Sequence, residues 1–360
     1  MTAFRVGLTR DFLTPSGELS MDNIGLHLLE NVPGVSYEFF SEHLPEVAPS
    51  QIAGYDAVIS LGPRYTRRTL EDPHLKLGIV ARFGVGYDML DVDGLTERDV
   101  IITITPDGVR RPMATGILTL ILALAHEILA KDSLVRRGKW AERLSIKASG
   151  LTGRVLGSIG AGNIGQEIFR LAKPLEMLHL ATDPNIRPEE VDSLNVRLVD
   201  LETLMRESDF VCVNCPLTPD TRGLIGARAL SWMKPTAYFI NTSRGPIVDQ
   251  TALYEALKHY RIRGAALDVF EVEPLPGGHP IATLNNVILT PHSLCWTDEC
   301  FRSMGESAVR AVLAVFRGDI PPNVVNRDVL EHPGVRAKLE ANRRRWHQLV
   351  RGSSLERSSA

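Results

Sequence analysis

Three residues with complementary chemistry follow one another along the chain, each beside a short apolar run: Arg244, Glu273 and His292. An imidazole exchanges protons near neutrality, its reference pKa being about 6.5. A carboxylate within hydrogen-bond reach orients the ring and stabilises its charged form. A guanidinium offers a planar fork that can hold a substrate carboxylate and polarise the neighbouring carbonyl, which a lysine does less selectively. Together they fit hydride chemistry on an acidic substrate, because reducing a 2-oxoacid requires a proton at the carbonyl oxygen as hydride reaches carbon. Glu271 is the competing carboxylate, two residues earlier and on the same strand face if the strand persists that far.

Upstream, Gly160-Ala-Gly162-Asn163-Ile164-Gly165 directly follows the apolar run Arg154–Ile159 and precedes a helical stretch from Gln166 to Leu171. A GxGxxG pattern alone is weak. Between a strand and a helix it places free backbone N–H groups where a pyrophosphate can meet them. In that setting Gly160 permits the tight turn, Gly162 the close approach of the ligand, and Gly165 the helix–strand contact. Asp183 ends the next strand, 18 residues beyond Gly165, where a carboxylate accepts both ribose hydroxyls and repels a 2'-phosphate. NAD is therefore favoured over NADP, although Arg187 nearby could accommodate the extra phosphate. Cys215, Pro216, Thr242 and Asp268 fall at the carboxyl ends of later strands, the edge at which doubly wound sheets bind ligands, and are expected to add cofactor contacts.

These residues need two sheets to position them. Short β-rich runs at Arg5–Thr9, Ser36–Phe40, Asp56–Ser60, Gly78–Arg82 and Val100–Ile104 alternate with helix-compatible stretches. A second series occupies Arg154–Ile159, Met177–Thr182, Phe210–Val213, Ala237–Ile240, Gly264–Val269 and Val287–Leu289. The pattern predicts an α/β protein of two doubly wound parallel-sheet domains. The boundary falls near Thr105-Pro-Asp-Gly108, and the chain returns to the first domain after Thr297. This division gives 1–106 with 298–326, then 107–297, and a basic tail 327–360 holding eight Lys+Arg against four Asp+Glu. Arg343-Arg-Arg345 in that tail reads as a solvated helix face, and the last Ser/Arg-rich residues as disordered.

Composition narrows the partners. With 40 Lys+Arg against 43 Asp+Glu, the net charge of -3 offers no field for non-specific nucleic-acid binding. A small-molecule acid is the expected partner. Met113–Ala130 nears the length of a membrane span, but His126 and Glu127 interrupt it, Pro112 suits a first helical position, and burial is the preferred reading. Four cysteines in 360 residues point to a reducing, cytoplasmic setting, and no leader pattern precedes the first strand. Cys212-x-x-Cys215 resembles half of a zinc site, but Cys295 and Cys300 lack the matching spacing, so no metal is expected.

Asn241-Thr-Ser-Arg244-Gly-Pro-Ile-Val-Asp249, Leu267-Asp-Val-Phe-Glu-Val-Glu273-Pro, Leu289-Thr-Pro-His292 and Pro216-Leu-Thr-Pro-Asp-Thr221-Arg-Gly-Leu-Ile225 resemble the NAD-dependent D-isomer-specific 2-hydroxyacid dehydrogenases. The likeness covers roughly residues 55 to 326. It implies a flavodoxin-like substrate domain and a Rossmann NAD-binding domain, catalytic roles for Arg244, Glu273 and His292, and a homodimer with the Met113 helix at its interface. It adds Thr221, Ser243 and Ser293 to the expected cofactor contacts. It also implicates the glycine loop Arg82-Phe-Gly84-Val85-Gly86, whose Val85 and Gly86 N–H groups would reach a substrate carboxylate.

The chain departs from the family pattern at two places. Thr115 replaces an acid at the start of the Met113 helix, and Arg110 and Arg111 precede Pro112 at the positive end of that helix, where a cation is disfavoured by about 0.3 to 1 kcal/mol unless exposed or paired. Both arginines are candidates for reading a second acidic group on the substrate. After His292, Ser293-Leu-Cys-Trp296 stands where relatives often carry a glycine pair, making Leu294, Cys295 or Trp296 candidate pocket residues. The competing function is an NAD(H)-sensing co-repressor or scaffold on the same fold.

Overall fold

The computed structural model describes residues 3–21, 23–30 and 32–357, with side chains as far as Arg351. The chain forms two units: one joins the residues up to Val109 with those from Thr297 onward, and the other is Arg110–Trp296.

In the first unit β1 (Phe4–Leu8), β2 (Val35–Phe39), β3 (Ala57–Ser60), β4 (Ile79–Arg82) and β5 (Ile101–Thr103) build a parallel sheet in the order β2-β1-β3-β4-β5. Parallel neighbours require crossover connections, which cover both faces. The central strands are accordingly buried along their length, as in the Ala57-Val-Ile-Ser60 of β3. Helix Asp298–Arg317 covers this sheet. The Thr297 hydroxyl accepts the Cys300 N–H at 3.1 Å to cap its start, and left-handed Gly318 ends it. Phe316 from this helix meets Phe4 of β1 at 5.0 Å between ring centres.

The supposed tail is part of this unit. Pro333–Arg357 is one helix. Lys338 Nζ donates to the carbonyls of Leu77, Arg98 and Asp99 at 2.8, 3.3 and 3.0 Å, and burial lowers its pKa. Asn342 donates to Val315 O, Arg343 to Gly318 O, and Trp346 meets Phe316 edge-on. Arg344 is exposed, while Arg343 and Arg345 also work inward, Arg345 lying over the Phe4 ring. The expectation of disorder for the last Ser/Arg-rich residues falls largely outside the described side chains.

The second unit holds β6 (Val155–Ile159), β7 (Leu178–Thr182), β8 (Val196–Leu198), β9 (Phe210–Val213), β10 (Tyr238–Asn241), β11 (Gly264–Leu267) and β12 (Val287–Leu289). Their order is β12-β11-β10-β9-β6-β7-β8, all parallel. The order reverses at β6, between β7 and β9, which is the switch point of a doubly wound sheet. The edge strand β8 was not expected, since Arg197 breaks its short apolar pattern.

Helix Pro106–Ala125 begins seven residues before Met113, so Pro112 lies inside it instead of at its first position. Proline has no N–H for Gly108 O, and the helix continues past the gap. This helix is long and apolar enough to cross a membrane, yet 56% of that stretch is buried within the protein. Leu294 packs on it so closely that a Cβ at Gly116 would stand 2.7 Å from the leucine Cγ.

Candidate active site

The register of the second sheet aligns the strand ends. Ile159 pairs with Thr182 and Val213, Asn241 with Val213 and Leu267, and Leu267 with Leu289. The residues that follow, Gly160, Asp183, Cys215, Thr242 to Arg244, Asp268 and Thr290 to His292, therefore emerge along one edge.

At the switch point, Gly160 has φ +98°, and a Cβ there would stand 2.8 Å from the backbone at Asn214 and Cys215. Such a conformation and such space suit only glycine. A Cβ at Gly165 would stand 2.5 Å from Gly160 O, so helix and turn touch there. A Cβ at Gly162 would meet nothing within 4 Å, the open space a dinucleotide backbone needs. Helix Asn163–Ala172 starts with Gly162 as its N-cap, three residues earlier than expected, and its first N–H groups lack intrahelical acceptors. The Ser158 hydroxyl donates to Gly160 O at 2.6 Å and accepts from Asn214 Nδ2 at 2.8 Å, two contacts the motif did not announce. Asp183 Oδ2 accepts Ala161 N–H at 2.8 Å and Oδ1 accepts Asn185 N–H at 2.9 Å, fixing the carboxylate beside the turn. Arg187 is paired with Glu190 at 3.0 Å. These residues fit NAD. Gly162→Ala is expected to leave the thermal midpoint of the cofactor-free protein unchanged while weakening NADH about tenfold, ~1.4 kcal/mol. Fluorescence titration reads this, and affinity within twofold of wild type would contradict it.

Around the next strand ends, Thr221 Oγ donates to Pro216 O at 2.7 Å, and Ser243 Oγ donates to Cys215 O. Thr242 is buried. Asn241, overlooked in the sequence, accepts Ser243 N–H at 3.1 Å and donates to Arg244 O at 3.0 Å. It thereby shapes the turn that presents Arg244.

Glu273 and His292 meet at 2.7 Å, Oε2 to Nδ1. Glu273 Oε1 accepts Phe270 N–H at 2.9 Å. Burial pushes the Glu273 pKa up, but the His292 hydrogen bond, the Phe270 N–H and the charges of His292 and Arg244 outweigh it, so the carboxyl sits below its ordinary value. Arg244 is close enough to act on that carboxylate, and its Nη1 donates to Ser243 O at 2.8 Å. Glu271 lies beyond β11, which ends at Leu267, so no strand face carries it. It pairs instead with Gln250, whose side chain accepts Glu271 N–H at 3.1 Å. A recess of ≈ 680 Å³ opens beside Glu273 and His292, walled by Phe270, Leu275, Leu289 and Pro291.

His292 has φ +54°, a left-handed backbone that non-glycine residues seldom adopt. Asp268 holds it there. Its carbonyl accepts His292 N–H at 2.8 Å, and its carboxylate accepts the Thr290 hydroxyl, Ser293 N–H and Leu294 N–H at 2.7, 3.0 and 3.2 Å. Asp268 has no exposed surface. Asp268 therefore anchors the histidine loop through three donors on its carboxylate. Ser293 enters through the same anchor.

Arg110 and Arg111 lie in the second turn of their helix, not at its positive end, and both face Glu167 of the dinucleotide helix, at 4.0 and 2.8 Å. Arg170 joins them. The three guanidinium groups neutralise a carboxylate that is only 5% exposed, so both arginines have a partner inside the unit. Trp296 is 52% exposed.

In the first unit the loop after β4 contains Val85 and Gly86, both half-buried. Among the described residues neither N–H has an acceptor. Two successive unmatched donors form a place for an anion. Among the described residues no cluster of metal ligands exists.

Comparison with known proteins gives this geometry its family. Residues 118–293 match the family described as D-isomer specific 2-hydroxyacid dehydrogenase, NAD binding domain. The chain is 39% identical over 289 residues to a glyoxylate reductase of Korarchaeum cryptofilum, covering 79% of this chain and 87% of the relative. It is 40% identical over 270 residues to a D-3-phosphoglycerate dehydrogenase of Methanocaldococcus jannaschii, covering 75% of this chain and 51% of that one. The crystal structure of D-lactate dehydrogenase from Aquifex aeolicus, complexed with NAD and lactic acid, superposes with a TM-score of 0.77 at 25% identity, covering 89% of this chain and 99% of that one. With its two parallel sheets, its glycine turn and this degree of identity, the chain belongs to the NAD-dependent D-isomer specific 2-hydroxyacid dehydrogenases.

Proposed function

We propose that the protein interconverts a small 2-oxoacid and its D-2-hydroxy acid, with His292 exchanging the proton, Glu273 orienting and charging the imidazole, and Arg244 holding the substrate carboxylate and polarising its carbonyl. The observation that carries this reading is the 2.7 Å contact between His292 Nδ1 and Glu273 Oε2, with Arg244 acting on the same carboxylate. An ionised Glu273 requires a proton on Nδ1, which leaves Nε2 as the atom that gives or takes the substrate proton. Bound NADH would supply the hydride. Asp183 supports NAD over NADP, because its carboxylate would repel a 2'-phosphate. In the first unit, the Val85 and Gly86 N–H groups suit a substrate carboxylate. Glyoxylate leads the substrate candidates, given the relative from Korarchaeum.

The test is NADH oxidation, followed at the nicotinamide band, with glyoxylate, hydroxypyruvate, sugar-acid and phosphorylated 2-oxoacids. Turnover of a member supports the proposal. Tight NADH binding without turnover of any would favour an NAD(H)-sensing co-repressor or scaffold.

The depressed Glu273 pKa has a sign for pH dependence. The carboxylate contributes stability above its unfolded pKa and loses it as pH falls through the lower folded value, so the His292 pair is intact throughout the neutral range. Glu273→Gln removes the negative charge that favours imidazolium. Reductive kcat/KM is expected to fall about tenfold or more. A kcat/KM within twofold of wild type would remove Glu273 from this role.

A cytoplasmic homodimer completes the proposal. Ile128, Leu129, Val135, Trp140 and Leu144 expose an apolar face just beyond helix Pro106–Ala125, of the kind that a second copy covers. Sedimentation velocity measures the assembly.

A further inference from the structure

The loop after β4 can be read peptide by peptide. Phe83 N–H donates to Ser60 O at 2.8 Å, and Gly84 N–H donates to Thr105 Oγ1 at 2.8 Å. Gly84 O accepts Thr105 N–H at 2.9 Å. Gly86 O accepts Arg82 Nε at 2.9 Å, and Phe83 O accepts Arg82 Nη1. Three carbonyls of the loop are therefore turned toward donors of the protein, two of them toward one guanidinium. Gly84 makes room for that guanidinium: it has φ +135°, and a Cβ there would stand 2.9 Å from Arg82 Nη1. What is left over among the described contacts is the pair of N–H groups at Val85 and Gly86 and, between them, the Val85 carbonyl.

We infer that Arg82 is a positioning residue for substrate binding: its fork ties back the Phe83 and Gly86 carbonyls, so that neither of these two competes with the Val85 and Gly86 N–H groups for the substrate carboxylate. The inference rests on the proposed role of Val85 and Gly86. Peptide dipoles fixed in advance bind an anion without the cost of ordering the loop at the moment of binding. A carbonyl rotated toward the ligand would repel it. A lysine cannot replace the arginine here, because one ammonium at the end of a flexible stem does not reproduce a planar fork spanning two carbonyls.

The experiment compares Arg82→Lys and Arg82→Met with wild type, using the best substrate of the panel and oxamate, a 2-oxoacid mimic that accepts no hydride. Both variants are expected to raise KM and the oxamate Kd about tenfold while kcat stays within about twofold and NADH affinity is unchanged. Equal losses in Lys and Met mark geometry as the cause. Recovery of wild-type KM by Arg82→Lys would overturn the inference, since charge alone would then suffice. So would an unchanged KM in both. If Arg82→Met unfolds, Arg82→Lys, which keeps stem and charge, carries the comparison by itself: a raised KM supports the inference and an unchanged KM ends it. A wild-type protein that neither turns over a 2-oxoacid nor binds oxamate would overturn the underlying role of the loop instead.

Discussion

Replacing His292 by asparagine is expected to lower kcat for 2-oxoacid reduction by roughly 10²- to 10⁴-fold, the usual contribution of a positioned acid–base group. Asparagine suits the control because it tolerates the left-handed backbone at this position better than most residues. The His292 N–H bond to Asp268 O is a main-chain contact, so the loop survives the change. NADH affinity and thermal midpoint should therefore stay at wild-type values while the proton transfer is lost. Steady-state rates with an NADH titration measure both, and a kcat within tenfold of wild type would exclude His292 as the acid.

The second large effect is at Arg244. Truncating one member of a buried, hydrogen-bonded charge pair costs about 2–5 kcal/mol, so Arg244→Ala is expected to reduce kcat/KM by at least about thirtyfold. Arg244→Lys should recover only part of this, because it retains the charge but not the fork. The loss should appear in KM as well as kcat, since the same group is proposed to hold the substrate carboxylate and to polarise the carbonyl. A lysine variant with wild-type kinetics would show that position 244 supplies only a positive field.

Much of this arrangement was legible in residue order. Eleven of the strands announce themselves as apolar runs between helical stretches, and the glycines carry separable steric roles that the backbone contacts at Gly160 and Gly165 match. The choice of Glu273 over Glu271 agrees with the contacts each carboxylate makes. Other features depend on polar groups whose partners are distant in sequence, which hydrophobic periodicity does not register. Lys338 and Asn342 look like tail residues until their carbonyl acceptors at Leu77 and Val315 are seen. Asp268 follows the end of a strand at the ligand edge, but the loop its oxygens anchor lies more than twenty residues later. Arg110 and Arg111 appear unpaired because Glu167 is about 56 residues away from them. The terminal helix reads as solvated for a related reason: its inward apolar residues, Val335, Leu339, Trp346 and Leu349, are sparse among charges.

The discontinuity of the first unit orders events during synthesis. Arg110–Trp296 is a single stretch of chain, so the dinucleotide-binding sheet has all its strands once that stretch has emerged from the ribosome. The first sheet emerges earlier but waits for helix Asp298–Arg317 to cover it and for Lys338 to reach the carbonyls of Leu77, Arg98 and Asp99. The usual progression, in which the amino-terminal domain folds first, is thereby reversed. The part of the molecule made first is completed last, and its apolar strands depend until then on whatever shields a nascent chain.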